Sequence, residues 1–193
     1  MGEKSEQKRR HIIEAARHIF EEKGYKQVTM KDIVEACNIS RGGLYLHFGD
    51  TESIFCEILR LECKSMEIFR GEDIDEDATA ADILLLFLKE QKRRILQKEN
   101  TLDRAIYEFY FDNGELPKKD NLLKQQFETS VRILKKLIET GVENGEFTCD
   151  DCEGKARNIM YVIEGLKINA RTIGITDEAV DREILYILSE LGL

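Results

Sequence analysis

The chain of 193 residues carries 29 Lys+Arg against 38 Asp+Glu, a formal net charge of −9, and 42% of it is apolar. That length and apolar share support a real core, in one large domain or a small and a medium one, and the most apolar run, Ile83 to Leu88, is too short to span a bilayer. One proline, no tryptophan and abundant Glu, Lys, Leu and Ile point to an all-α fold, since little in the chain interrupts a helix.

Ser5 to Lys23 reads as a first helix: Ile12, Ala16, Ile19 and Phe20 share one face, and Gly24 stops it. The stretch V-T-M-K-D-I opens a second. Thr29 is a hydroxyl N-cap, Asp32 is the acid three residues on, and Val28 and Ile33 flank them as an apolar pair, a capping box inside a hydrophobic staple. The pattern returns with Ser40 as N-cap and Ile39 and Leu44 as staple, and Asn38 supplies a left-handed turn between the two helices. Helix starts this close leave room only for a tight turn and a steep crossing. That is the helix-turn-helix arrangement, whose second helix enters a DNA major groove. Met30, Ile33, Val34, Cys37, Ile39, Leu44 and Phe48 then close a three-helix domain over residues 1–50. Asp50 caps a connecting helix, residues 51–70, with Ile54, Ile58 and Leu61 inward.

Residues 71–193 read as a second domain that begins with an acidic loop, Gly71 to Asp77. Thr79 and Asp82 repeat the capping box and start a fifth helix to about Lys98, apolar all round over I-L-L-L-F-L and so central to this domain. A sixth helix from Asn100 and Thr101 to Asp112 is aromatic, and Asn113-Gly114 and Pro117 end it. The seventh runs from about Asp120 to Glu143, the eighth from about Asp151 to Ile173 and the ninth from Asp177 onward, making about nine in all. Ile159, Ile163, Leu166 and Ala170 on the eighth, and Ile184, Ile187 and Leu191 on the ninth, form heptad-like stripes. Such stripes serve either a core within the chain or, in addition, a four-helix bundle with a second subunit; these seven residues are taken as the dimer interface.

The negative balance argues against a nucleic-acid partner only in sum. Residues 1–70 hold 12 Lys+Arg and 12 Asp+Glu, whereas residues 71–193 hold 17 and 26 and carry the whole −9. Phosphate binding depends on the local field. Within the recognition stretch, Arg41 reaches toward base edges or phosphates, Gly42 and Gly43 allow close backbone approach, and Tyr45, His47 and Thr29 donate to phosphate. Lys4, Lys8, Arg9 and Arg10 form a basic arm, read equally well as a solvated tail.

Signatures of catalysis are missing: the three histidines have no metal-ligand spacing, and no nucleotide-binding or nucleophile-elbow motif occurs, so no catalytic residue, metal or cofactor is expected. Cys149 and Cys152 form a lone C-x-x-C without a second ligand pair, flanked by acids that disfavour the thiolate; they are read as incidental, with redox or metal chemistry as the alternative. The polar start M-G-E-K-S-E-Q-K-R-R and five cysteines without a disulfide-like framework lead to the expectation of a soluble, cytoplasmic protein with no membrane partner.

The run T-M-K-D-I-V-E-A-C-N-I-S-R-G-G-L-Y-L-H-F, preceded by A-A-R-H-I-F-E-E-K-G-Y, resembles the N-terminal domain of TetR-family transcriptional repressors over about residues 9 to 60. Beyond Gly71 the resemblance is architectural. It implies a homodimer that binds double-stranded DNA at a near-palindromic operator and is released by a small-molecule effector, with DNA contacts from Thr29, Arg41, Gly42, Gly43, Tyr45 and His47. It also implies a contact at the start of the fourth helix, where Thr51 stands in place of the lysine of many members, and Gly43 replaces a common threonine. The implied effector pocket has Tyr107, Tyr110, Phe111, Phe127 and Tyr161 as an aromatic lining and Glu108, Arg132 or Asn169 as polar selectors. The alternative function, motivated by the missing lysine and the −9 charge, is a helical sensor or adaptor that has lost DNA binding.

Overall fold

The computed structural model describes residues 2–66, 77–97, 101–113 and 121–193. Among them are nine helices and no strand: α1 (Gly2–Lys23), α2 (Met30–Cys37), α3 (Arg41–Tyr45), α4 (Thr51–Met66), α5 (Ala80–Leu96), α6 (Asp103–Asn113), α7 (Leu122–Glu143), α8 (Cys152–Thr172) and α9 (Asp177–Ser189). The expected acidic loop after Gly71 and the break around Pro117 fall outside the described residues, apart from Asp77. The helices divide into two compact units, α1 to α4 with α6, and α5 with α7 to α9.

Local chemistry sets the boundaries in the first unit. Gly24 ends α1 at φ 77°, its N–H donating to the Phe20 carbonyl at 2.9 Å. The Thr29 hydroxyl accepts from the Asp32 N–H at 3.3 Å, and the Asp32 carboxylate accepts from the Thr29 N–H at 2.8 Å, so the capping box is closed. Asn38 sits at φ 51° and turns the chain into α3. Ser40 caps α3, accepting from the Gly43 N–H at 3.1 Å, and Asp50 caps α4, accepting from the Ser53 N–H at 2.7 Å. Ile12, Ala16, Phe20, Ile33, Leu44, Ile54 and Phe55 are buried together.

The helix α6 belongs to this unit, whereas composition alone grouped it with the residues that follow. Its Phe109 ring packs 4.9 Å from Tyr25 and 5.3 Å from Phe55, centroid to centroid, and Leu102 and Ala105 join the same core. Burying a phenylalanine contributes about 1.5–3 kcal/mol. Glu108 adds a polar tie to the turn between α1 and α2, its carboxylate accepting from the Lys26 N–H at 3.1 Å and from Arg104 at 2.7 Å. Burial opposes the charge on Glu108, yet these bonds leave its pKa below the usual value. Glu108, expected as a polar selector, is engaged with the turn before α2 and with Arg104.

In the second unit the helix α5 is capped by Thr79 and Asp82 as expected but is not apolar all round in its packing. Leu84, Leu88, Gln91 and Ile95 are buried, while Leu85 and Leu86 are about half-exposed. Val131, Leu134 and Ile138 of α7 pack with Ile159, Ile163 and Ile187 in one core, and Arg157 on α8 forms a two-pronged pair with Glu128 on α7 at 3.1 and 2.9 Å.

Ile159, Ile163, Leu166, Ile187 and Leu191 are buried inside the single chain, and Ala170 and Ile184 are half-buried against the same unit's apolar clusters. Of the seven residues expected at a subunit interface, Ala170 and Ile184 keep surface in the single chain. Heptad spacing identified an apolar face correctly but not what covers it. Other apolar side chains of α8 and α9 are exposed: Tyr161 by 63%, Ile168 by 41%, Leu185 by 63% and Tyr186 by 57%.

Candidate nucleic-acid interface

The five-residue helix α3 is held from three sides. Leu44 is fully buried, Ser40 caps its first turn, and Phe48 follows it into the core. Arg9 of α1 fixes that corner by donating to Glu57 of α4 at 3.1 Å while its guanidinium lies 5.0 Å from the centre of the Phe48 ring. His11 adds a contact between Nε2 and the Cys37 carbonyl at the end of α2, 3.2 Å long. Arg9 is thus a packing residue, and the four-residue basic arm is not an arm: Lys4 to Arg10 continue α1.

What α3 exposes is Arg41, Gly42 and Tyr45, with Leu46 just beyond it. The Arg41 guanidinium sits 5.6 Å from the centre of the Tyr45 ring, a stacked pair that presents a cation and a phenol side by side. His47 is half-buried. Thr29 is exposed at the opening of α2, its hydroxyl donating to Asp32 at 2.5 Å, and Thr51 opens α4 half-buried. Leu46 has no counterpart among the expected contacts; it is 84% exposed, and apolar exposure beside Tyr45 suits a thymine methyl or a sugar.

The two glycines differ. A Cβ on Gly42 would meet nothing within 4 Å, so the fold does not require glycine there. Gly43 is buried, and a Cβ on it would stand 3.1 Å from the Ser40 hydroxyl and 3.4 Å from the Lys8 ammonium nitrogen. Gly42 thus faces open space, whereas the Ser40 hydroxyl and the end of Lys8 lie beside Gly43.

The five aromatic residues expected to line one pocket are divided. Tyr107, Tyr110 and Phe111 lie on α6 in the first unit, with Tyr110 packed edge-on against Phe109 at 5.2 Å and Phe111 exposed. Phe127 and Tyr161 are in the second unit, their rings 5.2 Å apart. Of the polar selectors, Arg132 and Asn169 are exposed. Gln91 is a polar side chain the sequence reading passed over, buried on α5 between Leu88 and Ile95; a lone Gln in an apolar stripe is the signal that marks it. Cys149 and Cys152 are free and half-buried at the start of α8. Burial, then the neighbouring Cys149, pushes the Cys152 thiol up, against thiolate chemistry. Among the described residues no three His, Cys, Asp or Glu side chains group to hold a metal ion, and no helix is long and apolar enough to cross a membrane.

Comparison with known proteins agrees with this geometry. Residues 12–58 match the family of bacterial regulatory proteins, tetR family, and residues 83–181 match the tetracyclin repressor-like C-terminal domain. The chain is 27% identical over 145 residues to the HTH-type transcriptional regulator YfiR of Bacillus subtilis, covering 75% of this chain and 70% of that protein. It is 26% identical over 159 residues to the HTH-type transcriptional regulator QacR of Staphylococcus aureus, covering 80% and 81%. Among solved structures, a TetR transcription regulator from Haloarcula marismortui superposes with a TM-score of 0.80 at 18% identity, covering 97% of each chain. A transcriptional regulator from Saccharomonospora viridis in complex with choline gives 0.79 at 22%, covering 95% of each. These two show the fold. Nothing among the relatives supports an adaptor without DNA binding. The chain belongs to the TetR family: it is a DNA-binding transcriptional regulator and not an enzyme.

Proposed function

We propose that this regulator is a homodimeric, cytoplasmic repressor that reads a near-palindromic operator through α3 and leaves it when a small molecule occupies the second unit. The observation that carries the DNA contact is the exposed Arg41–Gly42–Tyr45 face, in which a glycine unexplained by packing lies beside a stacked cation. Glycine in a helix costs about 1 kcal/mol against alanine, so its use at Gly42 is accounted for by a surface that comes close from outside. Arg41, Tyr45 and His47 contact base edges and phosphates, and Thr51 donates to a backbone phosphate; Thr29 donates to one by exchanging its hydroxyl bond to Asp32. Thr51 lacks a charge, so its contribution is a neutral hydrogen bond.

The subunit contact is assigned to the exposed apolar side chains of α8 and α9, with Ile168, Leu185 and Tyr186 at its centre. The effector contacts are assigned to Phe127, Tyr161 and Gln91; the acidic balance of residues 71–193 favours a neutral or cationic molecule, and the choline bound by the Saccharomonospora viridis protein is of that class. Binding there shifts the population toward a conformation whose recognition helices no longer match the two half-sites. A fluorescence-anisotropy titration against the promoter DNA beside its own gene tests the DNA reading. Salt-dependent, sequence-specific binding that Arg41→Ala weakens tenfold or more is expected; equal binding to scrambled DNA would overturn it.

A further inference from the structure

We propose that Lys8 of α1 is a phosphate-contacting residue of the DNA surface, its ammonium standing beside Gly43 of α3. The inference rests on the DNA reading above. Its basis is a juxtaposition that neither segment reveals alone. The Lys8 ammonium nitrogen lies 3.4 Å, and its Cε 3.9 Å, from where a Cβ on Gly43 would stand. Gly43 is at the third position of α3, one turn before Leu46 and two residues before Tyr45. The end of the Lys8 side chain thus lies beside the recognition helix, its ammonium nitrogen nearer to residue 43 than its stem, and the residue as a whole is exposed.

The two cations that follow Lys8 on α1 are engaged with carboxylates: Arg9 pairs with Glu57 at 3.1 Å and Arg10 with Glu6 at 3.6 Å. No carboxylate among the described residues forms an ion pair with Lys8, which is exposed. A cation held beside a recognition helix without an internal counter-charge is arranged for an external anion, and on duplex DNA that anion is the phosphate backbone. Gly43 makes room for this. A Cβ there would press on the Ser40 hydroxyl at 3.1 Å and come into ordinary contact with the Lys8 ammonium nitrogen at 3.4 Å.

The test is a salt-series titration of the full-length protein carrying Lys8→Met, which keeps the stem and removes the charge, with Lys8→Arg as the conservative variant. Lys8→Met is expected to weaken operator and non-operator DNA by the same factor, about 3- to 10-fold, and to lower the slope of log K against log salt by about 0.9 for each phosphate released. Lys8→Arg should restore both, and the melting temperature should not move, because Lys8 is exposed. Unchanged affinity and slope in Lys8→Met would overturn the proposal, as would a loss confined to operator DNA, which marks a base-edge contact. Failure of the unsubstituted protein to bind specifically would remove the DNA reading first, and this inference with it.

Discussion

The Lys23 ammonium lies 2.6 Å from the Asp32 carboxylate, joining the last turn of α1 to the first turn of α2. The same carboxylate closes the capping box with Thr29, so a single acid both starts a helix and fixes its angle to the preceding one.

Asp32 is therefore expected to carry a pH signature. The Lys23 contact, followed by the bonds from Thr29, holds its carboxyl far below the usual range. A depressed folded pKa gives stability that is complete above the unfolded value of about 3.9 and is lost as pH falls through the folded value. Asp32→Asn should melt lower than the parent at pH 7, by an amount matching about 1 kcal/mol. The gap should narrow as pH drops from 5 to 2, followed by circular dichroism. A gap independent of pH would show that the charge contributes nothing.

Gly42→Ala is expected to move stability and affinity in opposite directions. With open space around the missing Cβ, alanine should stabilise the fold by about 0.5–1 kcal/mol. The added methyl should weaken operator binding severalfold if the backbone meets DNA there. Thermal denaturation and a binding titration on one preparation check both; tighter binding would show that the glycine has no role at the interface.

Charge placed among the exposed apolar side chains of α8 and α9 should separate subunits without unfolding them. Leu185→Glu or Ile168→Glu is expected to give a monomer by sedimentation with helicity retained. Ile159→Ala, in the intrachain core, should instead cost about 2–5 kcal/mol of stability. A dimer that survives Leu185→Glu would place the subunit contact on another surface.

Glu108→Ala removes the acceptor that α6 offers to the turn before α2. The expected cost is about 1 kcal/mol, as for one exposed hydrogen bond. Hydrogen exchange should quicken at the Lys26 amide and stay unchanged at Leu44, whose N–H donates to the Ser40 carbonyl at 3.1 Å. Equal quickening at both would mean that the whole unit has loosened.

Much of this architecture is legible in the sequence because its signals are local. Thr29 with Asp32, Thr79 with Asp82, Ser40, and Asn38 each act within three or four residues, and each occupies the position its chemistry predicts. Where tertiary packing decides, local signals fall silent. The aromatic pattern of α6 gives no sign that Phe109 belongs with Phe55 rather than with Phe127. The stripe through Ile159 and Ile187 shows that a face is covered but not by what, and Gly43 reads as an open glycine until Lys8 is seen beside it.

The central claim is that α3 reads the major groove in two half-sites. Dimethyl sulfate protection on the promoter fragment measures this directly, since the reagent reports guanine N7 on the major-groove edge. The account predicts two protected patches centred about 10 base pairs, or a multiple of one helical turn, apart, both lost with Arg41→Ala. Protection that persists in Arg41→Ala, or binding without any major-groove protection, would contradict it.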